Sequence, residues 1–151
     1  AHTVAGFPSG EVIDNHKLLR MPVDMLIPAA AAEQIDEDVA TDTQAKLIVE
    51  AANMPTTERG YEILRQRGIP VVPDILANAG GVVASMLEYS SSLSANKPSR
   101  EEVLDTVREK IAWAFQQALD YAEHAGTTLP AAAVLLAVER VHDAMKRRRL
   151  L

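Results

Sequence analysis

Val23-Asp24-Met25-Leu26-Ile27 is a short apolar run that ends at Pro28, a residue with no N–H to give to a central ladder, and it reads as a buried strand. The same signal returns at Lys46-Leu47-Ile48-Val49-Glu50, ahead of Asn53 and Pro55. It appears a third time at Ile69-Pro70-Val71-Val72, entered through Gly68. Helix-favouring stretches separate the runs, Ala29 to Ile35 and then Thr57 to Arg67. Near-continuous apolar strands alternating with helices imply parallel strands covered on both faces. An α/β fold is expected, with strands near 23–27, 46–50 and 69–73.

From Asn78 onward the pattern turns helical. Residues 79–93 read as a helix opened by Gly80 and Gly81, and Asn96, Lys97 and Pro98 mark the loop after it. Ser99 with Glu102 three residues on has capping-box spacing, so a second helix is expected over 99–125, closed by Gly126. Its apolar stripe is Leu104, Val107, Ile111, Ala114, Phe115, Ala118, Leu119 and Ala122. Leu129-Pro130 opens a last helix over about 129–147, with Val134, Leu135, Val138, Val141 and Met145 as the expected buried stripe. No linker divides the chain, so residues 1–151 are read as one domain.

Composition narrows the function classes. Fifteen basic against twenty-one acidic side chains leave a formal charge of −6, which opposes a nonspecific grip on nucleic acid or on an anionic membrane. The basic cluster Lys146 to Arg149 ends a helical pattern, where cations complement the helix dipole. There is no cysteine, which removes disulfides, thiolate catalysis and cysteine-ligated zinc, and which agrees with a reducing cytoplasm. No apolar run approaches the ~18 residues of a membrane span. The first residue is not methionine, and the true start is expected upstream.

Ligands of open parallel sheets gather at the carboxyl ends of the strands. Asn53 and Asn78 each stand just past such an end. An amide offers donors and an acceptor without charge, which suits a carboxamide or a ribose hydroxyl, although either residue could equally cap a turn. Gly80-Gly81 at a helix start would let a ligand approach the backbone. Val82 and Ser85, three residues apart, could line the same pocket, while spacing allows equally that Ser85 bonds back to its own helix. The histidines His2, His16, His124 and His142 have no metal-binding spacing. The G-x-G-x-x-G fingerprint is absent, so a self-sufficient dinucleotide site is not expected, nor is more than weak coenzyme binding by this chain alone.

Three blocks carry a resemblance. Val23 to Ala30 (VDMLIPAA), Ile48 to Thr57 (IVEAANMPTT) and Val72 to Val82 (VPDILANAGGV) are similar, in order and spacing, to consecutive signature blocks of glutamate dehydrogenases. Thr3-Val4-Ala5-Gly6-Phe7-Pro8 resembles the loop preceding those blocks, and Ala137 to Val141 resembles the family's final helix. Essentially the whole chain is covered. The resemblance implies the second half of a Rossmann-type parallel sheet followed by C-terminal helices, and a part of the enzyme that is incomplete and inactive alone.

The activity so implied is reversible oxidative deamination of glutamate to 2-oxoglutarate and ammonia with NAD or NADP. By the same resemblance Asn53 and Asn78 would hold the nicotinamide ribose and ring, and Ala29 and Ala30 would border the adenosine part. Val82 and Ser85 would form the substrate pocket, with Ser85 donating to the γ-carboxylate. Relatives acting on apolar amino acids tend to place an apolar residue there, since a buried hydroxyl without a partner costs ~1–3 kcal/mol. The family's catalytic lysine and aspartate have no counterpart in this sequence, so no catalytic residue is assigned. Ala51 stands where the family usually has glycine, Met54 follows many NADP-using members, and Met86-Leu87-Glu88-Tyr89 departs from the aromatic-rich segment common there. A homo-oligomer is expected, and so is exposed apolar sheet where further strands would pair. The competing reading is a non-catalytic binding or assembly module derived from the same family.

Overall fold

The computed structural model describes residues 8–95 and 97–149. Thr3 to Phe7 of the first resembling loop, His2, and Asn96 lie outside the described residues. Three parallel strands, β1 (Met25–Leu26), β2 (Leu47–Val49) and β3 (Val71–Val72), form a sheet in chain order. Met25 pairs with Leu47, Leu26 and Val71 flank Ile48, and Val49 pairs with Val72. Each strand is present where the apolar runs placed it and is shorter at its ends. Pro70 and Pro73 carry no N–H, and the N–H groups of Lys46 and Leu47 both turn to the Asp24 carbonyl.

The sheet is covered on both faces, and strand period 2 shows how. Val71 joins a core of Leu19, Ile35, Val39, Ala40, Ala45, Ile48 and Leu64. Its neighbour Val72 packs instead with Leu76, Ala118, Ala133, Ala114, Phe115 and Leu136. On the open side of the sheet, Met25 and Ile27 of the β1 edge are half exposed, in line with an edge that further strands could cover.

One expected helix is absent. Ala29 to Ile35 is not helical: Glu33 has φ +55°, and Ile35 runs beside Thr56 in an isolated parallel bridge, its N–H bonded to Pro55 O at 2.8 Å. Burying Ile35 completely in extended form outweighs the mild helix propensity of the alanines before it. The helix begins later, at α2 (Glu37–Asp42), where the Asp36 carboxylate accepts the Val39 N–H at 2.9 Å. A short α1 (Asn15–Leu19), capped by Asp14, was not anticipated.

The helix expected over 57–67 is α3 (Glu58–Gln66), with Thr57 Oγ1 accepting the Gly60 N–H and Gly68 leaving in the left-handed region at φ +69°. Arg67 closes its end by donating to the carbonyls of Ala40 and Thr43 at 2.6 and 2.8 Å, which fastens α3 to the last turn of α2. After β3 come a four-residue α4 (Asp74–Ala77), also unanticipated, and α5 (Gly80–Ser92). Then follow α6 (Arg100–Ala125) and α7 (Leu129–Arg147).

The capping box of α6 is complete, with the Glu102 N–H on Ser99 Oγ and the Ser99 N–H on Glu102 Oε2. The Ser99 N–H, and after it the Ser99 hydroxyl, hold the Glu102 carboxyl below the ordinary glutamate range.

The expected face of α7 is wrong. Val134, Leu135, Val138 and Val141 are exposed and Met145 is half-buried, while the buried positions are Ala132 and Ala133, the latter packed with Leu136 near Ala118 of α6. Alanine faces let the two helices approach closely, so the bulky valines point the other way. The helix is apolar on two faces, and periodicity does not say which one packs inside the chain. Arg140 of α7 also lies over the Trp113 ring of α6, 4.7 Å from its centroid. Among the described residues no helix is long and apolar enough to cross a membrane.

Candidate functional site

Two loops at the carboxyl edge of the sheet build the site. The first follows β2 and carries Asn53; the second runs from β3 through α4 and ends on Asn78, the C-cap of that helix. Asn78 Nδ2 donates to Asn53 Oδ1 at 2.6 Å and to the Ala51 carbonyl at 3.4 Å. The two amides therefore share one cleft. Their mutual bond consumes one donor and one acceptor and leaves Asn53 Nδ2 and Asn78 Oδ1 without partners among the described residues. A donor beside an acceptor is the complement of a carboxamide.

The cleft has a volume of about 630 Å³ and is lined by Asn53, Asn78, Gly81, Val82, Ser85, Met86 and Tyr89. Five residues singled out by sequence, Asn53, Asn78, Gly81, Val82 and Ser85, thus come together. Ser85 makes no back-bond to its helix among the described residues, so its hydroxyl is free to face the cleft. Ala29 and Ala30 do not line the cleft. They stand exposed on the loop after β1, whose Pro28 carbonyl accepts the N–H groups of Ala51 and Ala52 at 3.1 and 2.8 Å and so joins that loop to the Asn53 loop.

The two glycines divide their work. A Cβ on Gly80 would sit 3.1 Å from Val107 Cγ1, so this glycine serves the packing of α5 on α6 and not the approach of a ligand. A Cβ on Gly81 would meet nothing within 4 Å, and Gly81 is the one that borders the cleft.

Sequence reading missed Met86 and Tyr89, although they continue the helical spacing of Val82 and Ser85 and could have been found by extending it. It also passed over Glu50 and Asp74, acidic residues standing directly against apolar strand ends. Asp74 Oδ2 accepts the N–H of Met54 at 2.8 Å, and Met54 O accepts the Glu33 N–H at 2.9 Å. Bonds on both sides hold Met54 at φ +47°, the left-handed region that an unbranched side chain enters only at a cost.

Glu50 is fully buried, and its Oε2 accepts both the Tyr61 phenol and the Asp74 N–H. Burial, then the hydrogen bond and charge of Glu50, push the Tyr61 phenol far above its ordinary range. The unfolded chain should ionise this phenol near pH 10.0 while the folded chain keeps it neutral. Its contribution is thus intact below that pH and fades as pH rises above it. Urea unfolding at pH 9 and pH 11 should show the native chain losing about 1 kcal/mol more than Tyr61→Phe. Equal losses would contradict the placement of the half-buried phenol against Glu50.

Residues 1–149 match the sequence profile described as Glutamate/Leucine/Phenylalanine/Valine dehydrogenase. The NADP-specific glutamate dehydrogenase of Saccharolobus shibatae is 42% identical over 151 residues, covering 99% of this chain and 36% of that protein. The NAD-specific glutamate dehydrogenase of Staphylococcus aureus is 39% identical over 138 residues, covering 91% of this chain and 33% of its own length. Among solved structures, the hetero-hexameric glutamate dehydrogenase of Thermus thermophilus in its Leu-bound form superposes with a TM-score of 0.85. It is 31% identical over 90% of this chain and 33% of that one. The glutamate dehydrogenase of Peptoniphilus asaccharolyticus gives a TM-score of 0.78 at 34% identity, over 83% and 32%. The chain spans about a third of the length of the relatives it matches.

Proposed function

The chain belongs to the Glutamate/Leucine/Phenylalanine/Valine dehydrogenase family, and on that premise we propose that it supplies the nicotinamide end of the coenzyme site in an NAD(P)-dependent glutamate dehydrogenase. The observation that carries this reading is the Asn53–Asn78 amide pair, which presents one free donor and one free acceptor into a cleft that also holds Ser85. The fit is good for a carboxamide and a ribose. It is incomplete for a dinucleotide, since the sequence holds no glycine-rich turn to cradle a pyrophosphate.

In this reading the nicotinamide ring, when bound, takes the hydride that leaves the α-carbon of glutamate. Asn53 and Asn78 fix the orientation of that ring, Ala29 and Ala30 border the far end of the coenzyme, and Val82 walls the substrate side. Ser85 donates to the γ-carboxylate, a partner that an apolar substrate would not offer. Both NAD-specific and NADP-specific relatives exist at similar identity, so the coenzyme is NAD or NADP. The hetero-hexameric relative supports an oligomeric enzyme, and the absence of cysteine supports a reducing, cytoplasmic setting. The substrate pair is glutamate and 2-oxoglutarate.

A chimera tests the proposal. The corresponding third of the Saccharolobus shibatae enzyme is replaced by this chain, and reduction of NAD or NADP is followed with glutamate present. Glutamate-dependent reduction is expected. A chimera that elutes in the parent's assembly yet reduces neither coenzyme would refute the reading.

A further inference from the structure

Beside the amide pair runs a hydrogen-bonded circuit centred on the buried Glu50, none of whose members lines the cleft. Glu50 stands at the end of β2 with its N–H on Val72 O at 3.0 Å, and no part of it is exposed. Its Oε2 accepts from the Tyr61 phenol on α3 and from the Asp74 N–H, at 3.1 Å, on the first residue of α4. Asp74 in turn accepts the Met54 N–H at 2.8 Å, and Met54 belongs to the loop that Glu50 begins. The path Glu50 to Met54 along the chain, then to Asp74 and back to Glu50 by hydrogen bonds, is a closed ring.

Both amides hang from that ring at short fixed offsets. Asn53 is the residue before Met54. Asn78 is one turn of α4 after Asp74, its N–H bonded to the Asp74 carbonyl at 3.0 Å. Glu50 Oε1 is buried and has no partner among the described residues, so the carboxyl group is not the best filler for this space. An apolar side chain of similar volume would avoid the desolvation that a buried carboxyl suffers, but it could not accept two donors at one point.

We infer that Glu50 is a positioning residue: by receiving α3 and α4 on one oxygen, it sets the spacing of the loops that hold Asn53 and Asn78 against each other. What the positioned pair is for rests on the coenzyme reading above; the geometry does not. Rotation of either loop by one side-chain bond would separate two amides now 2.6 Å apart, and orientation of that kind is where small displacements are costly.

The test uses the isotope-labelled 151-residue chain without ligand, reading the side-chain amide signals of Asn53 and Asn78 and the hydrogen exchange of the Met54 and Asp74 N–H groups. Tyr61→Phe removes one oxygen from the circuit. It is expected to shift both asparagine signals and to speed exchange at Met54 and Asp74 about tenfold, with α6 and α7 unchanged. Glu50→Leu should do the same or more, and Glu50→Gln, which keeps an accepting oxygen, should restore exchange to within about threefold of the native chain. If Glu50→Leu does not fold, Tyr61→Phe and Glu50→Gln decide the matter between them.

Unmoved asparagine signals and unchanged exchange in Tyr61→Phe overturn the positioning role. A separate titration with millimolar nicotinamide mononucleotide addresses the coenzyme reading. Native Asn53 and Asn78 signals that ignore it would sink that reading and leave the positioning result standing.

Discussion

Gly60→Ala should destabilise the chain by about 3 kcal/mol or more, the largest effect we expect from adding a single methyl group. Gly60 lies inside α3, where alanine is ordinarily the better residue by ~0.8–1.0 kcal/mol. Here the sign reverses. A Cβ at this position would stand 2.5 Å from the Ile35 carbonyl oxygen, 3.1 Å from Thr56 Cγ2 and 3.2 Å from Thr57 Oγ1. The first of these is backbone, and it cannot rotate away. Ile35 O is already engaged as acceptor of the Thr57 N–H at 3.1 Å, so relief would mean moving α3 as a body and giving up the cap that starts it. Leu64 and Ile35, both without exposed surface, would lose contact in the process. Urea unfolding of the two chains measures the difference. A loss under about 1 kcal/mol would mean that α3 does not lie as close to the Ile35 segment as the structure places it.

Asn78→Ala should lower kcat/KM for the coenzyme about a hundredfold in the chimera described above, while folding stability changes by less than about 1 kcal/mol. The asymmetry has a physical origin. Asn78 lies at the surface end of the fold, so its removal opens no cavity, and its bond to Asn53 is exposed to water. Its place in the cleft lining, however, would give it two tasks at once in the proposed site. In the proposed site it would offer Oδ1 to the coenzyme, and it holds Asn53 in place by donating to Asn53 Oδ1 at 2.6 Å. Losing both contacts to the ring releases it to adopt unproductive orientations, which raises the barrier more than it weakens folding. Asn53→Ala should be milder, since the Asn78 side chain retains its second bond to the Ala51 carbonyl. Equal losses of activity and stability in Asn78→Ala would argue for a purely structural amide, and a drop of less than threefold would remove it from the site.

The strand and cap signals were legible because they are local. Apolar runs at Val23, Lys46 and Ile69, the Ser99–Glu102 capping box, the Gly68 and Gly126 exits and Pro130 near the start of α7 all act within a few residues of themselves. A short-range rule suffices for each. The amides Asn53 and Asn78 were legible as candidates for the same reason, since each sits just past a strand end. Val82 and Ser85 followed from helical spacing alone, and continuing that spacing would have added Met86 and Tyr89.

Other features depended on what lies far away along the chain. Ala29 to Ile35 has helix-favouring composition, yet Ile35 is drawn straight by a bridge to Thr56. The valine stripe of α7 looked like the core side, yet the alanine stripe packs on α6. Gly80 is small because Val107 stands opposite, twenty-seven residues on. By itself the sequence determined the α/β class, the order of strands and helices and the family, because periodicity, caps and signature blocks are written in neighbouring residues. Only the tertiary structure decided that two amides bond across one cleft, that a buried Glu50 ties their loops together, and which apolar faces meet. Those outcomes depend on free energies of contact between segments that no local pattern contains.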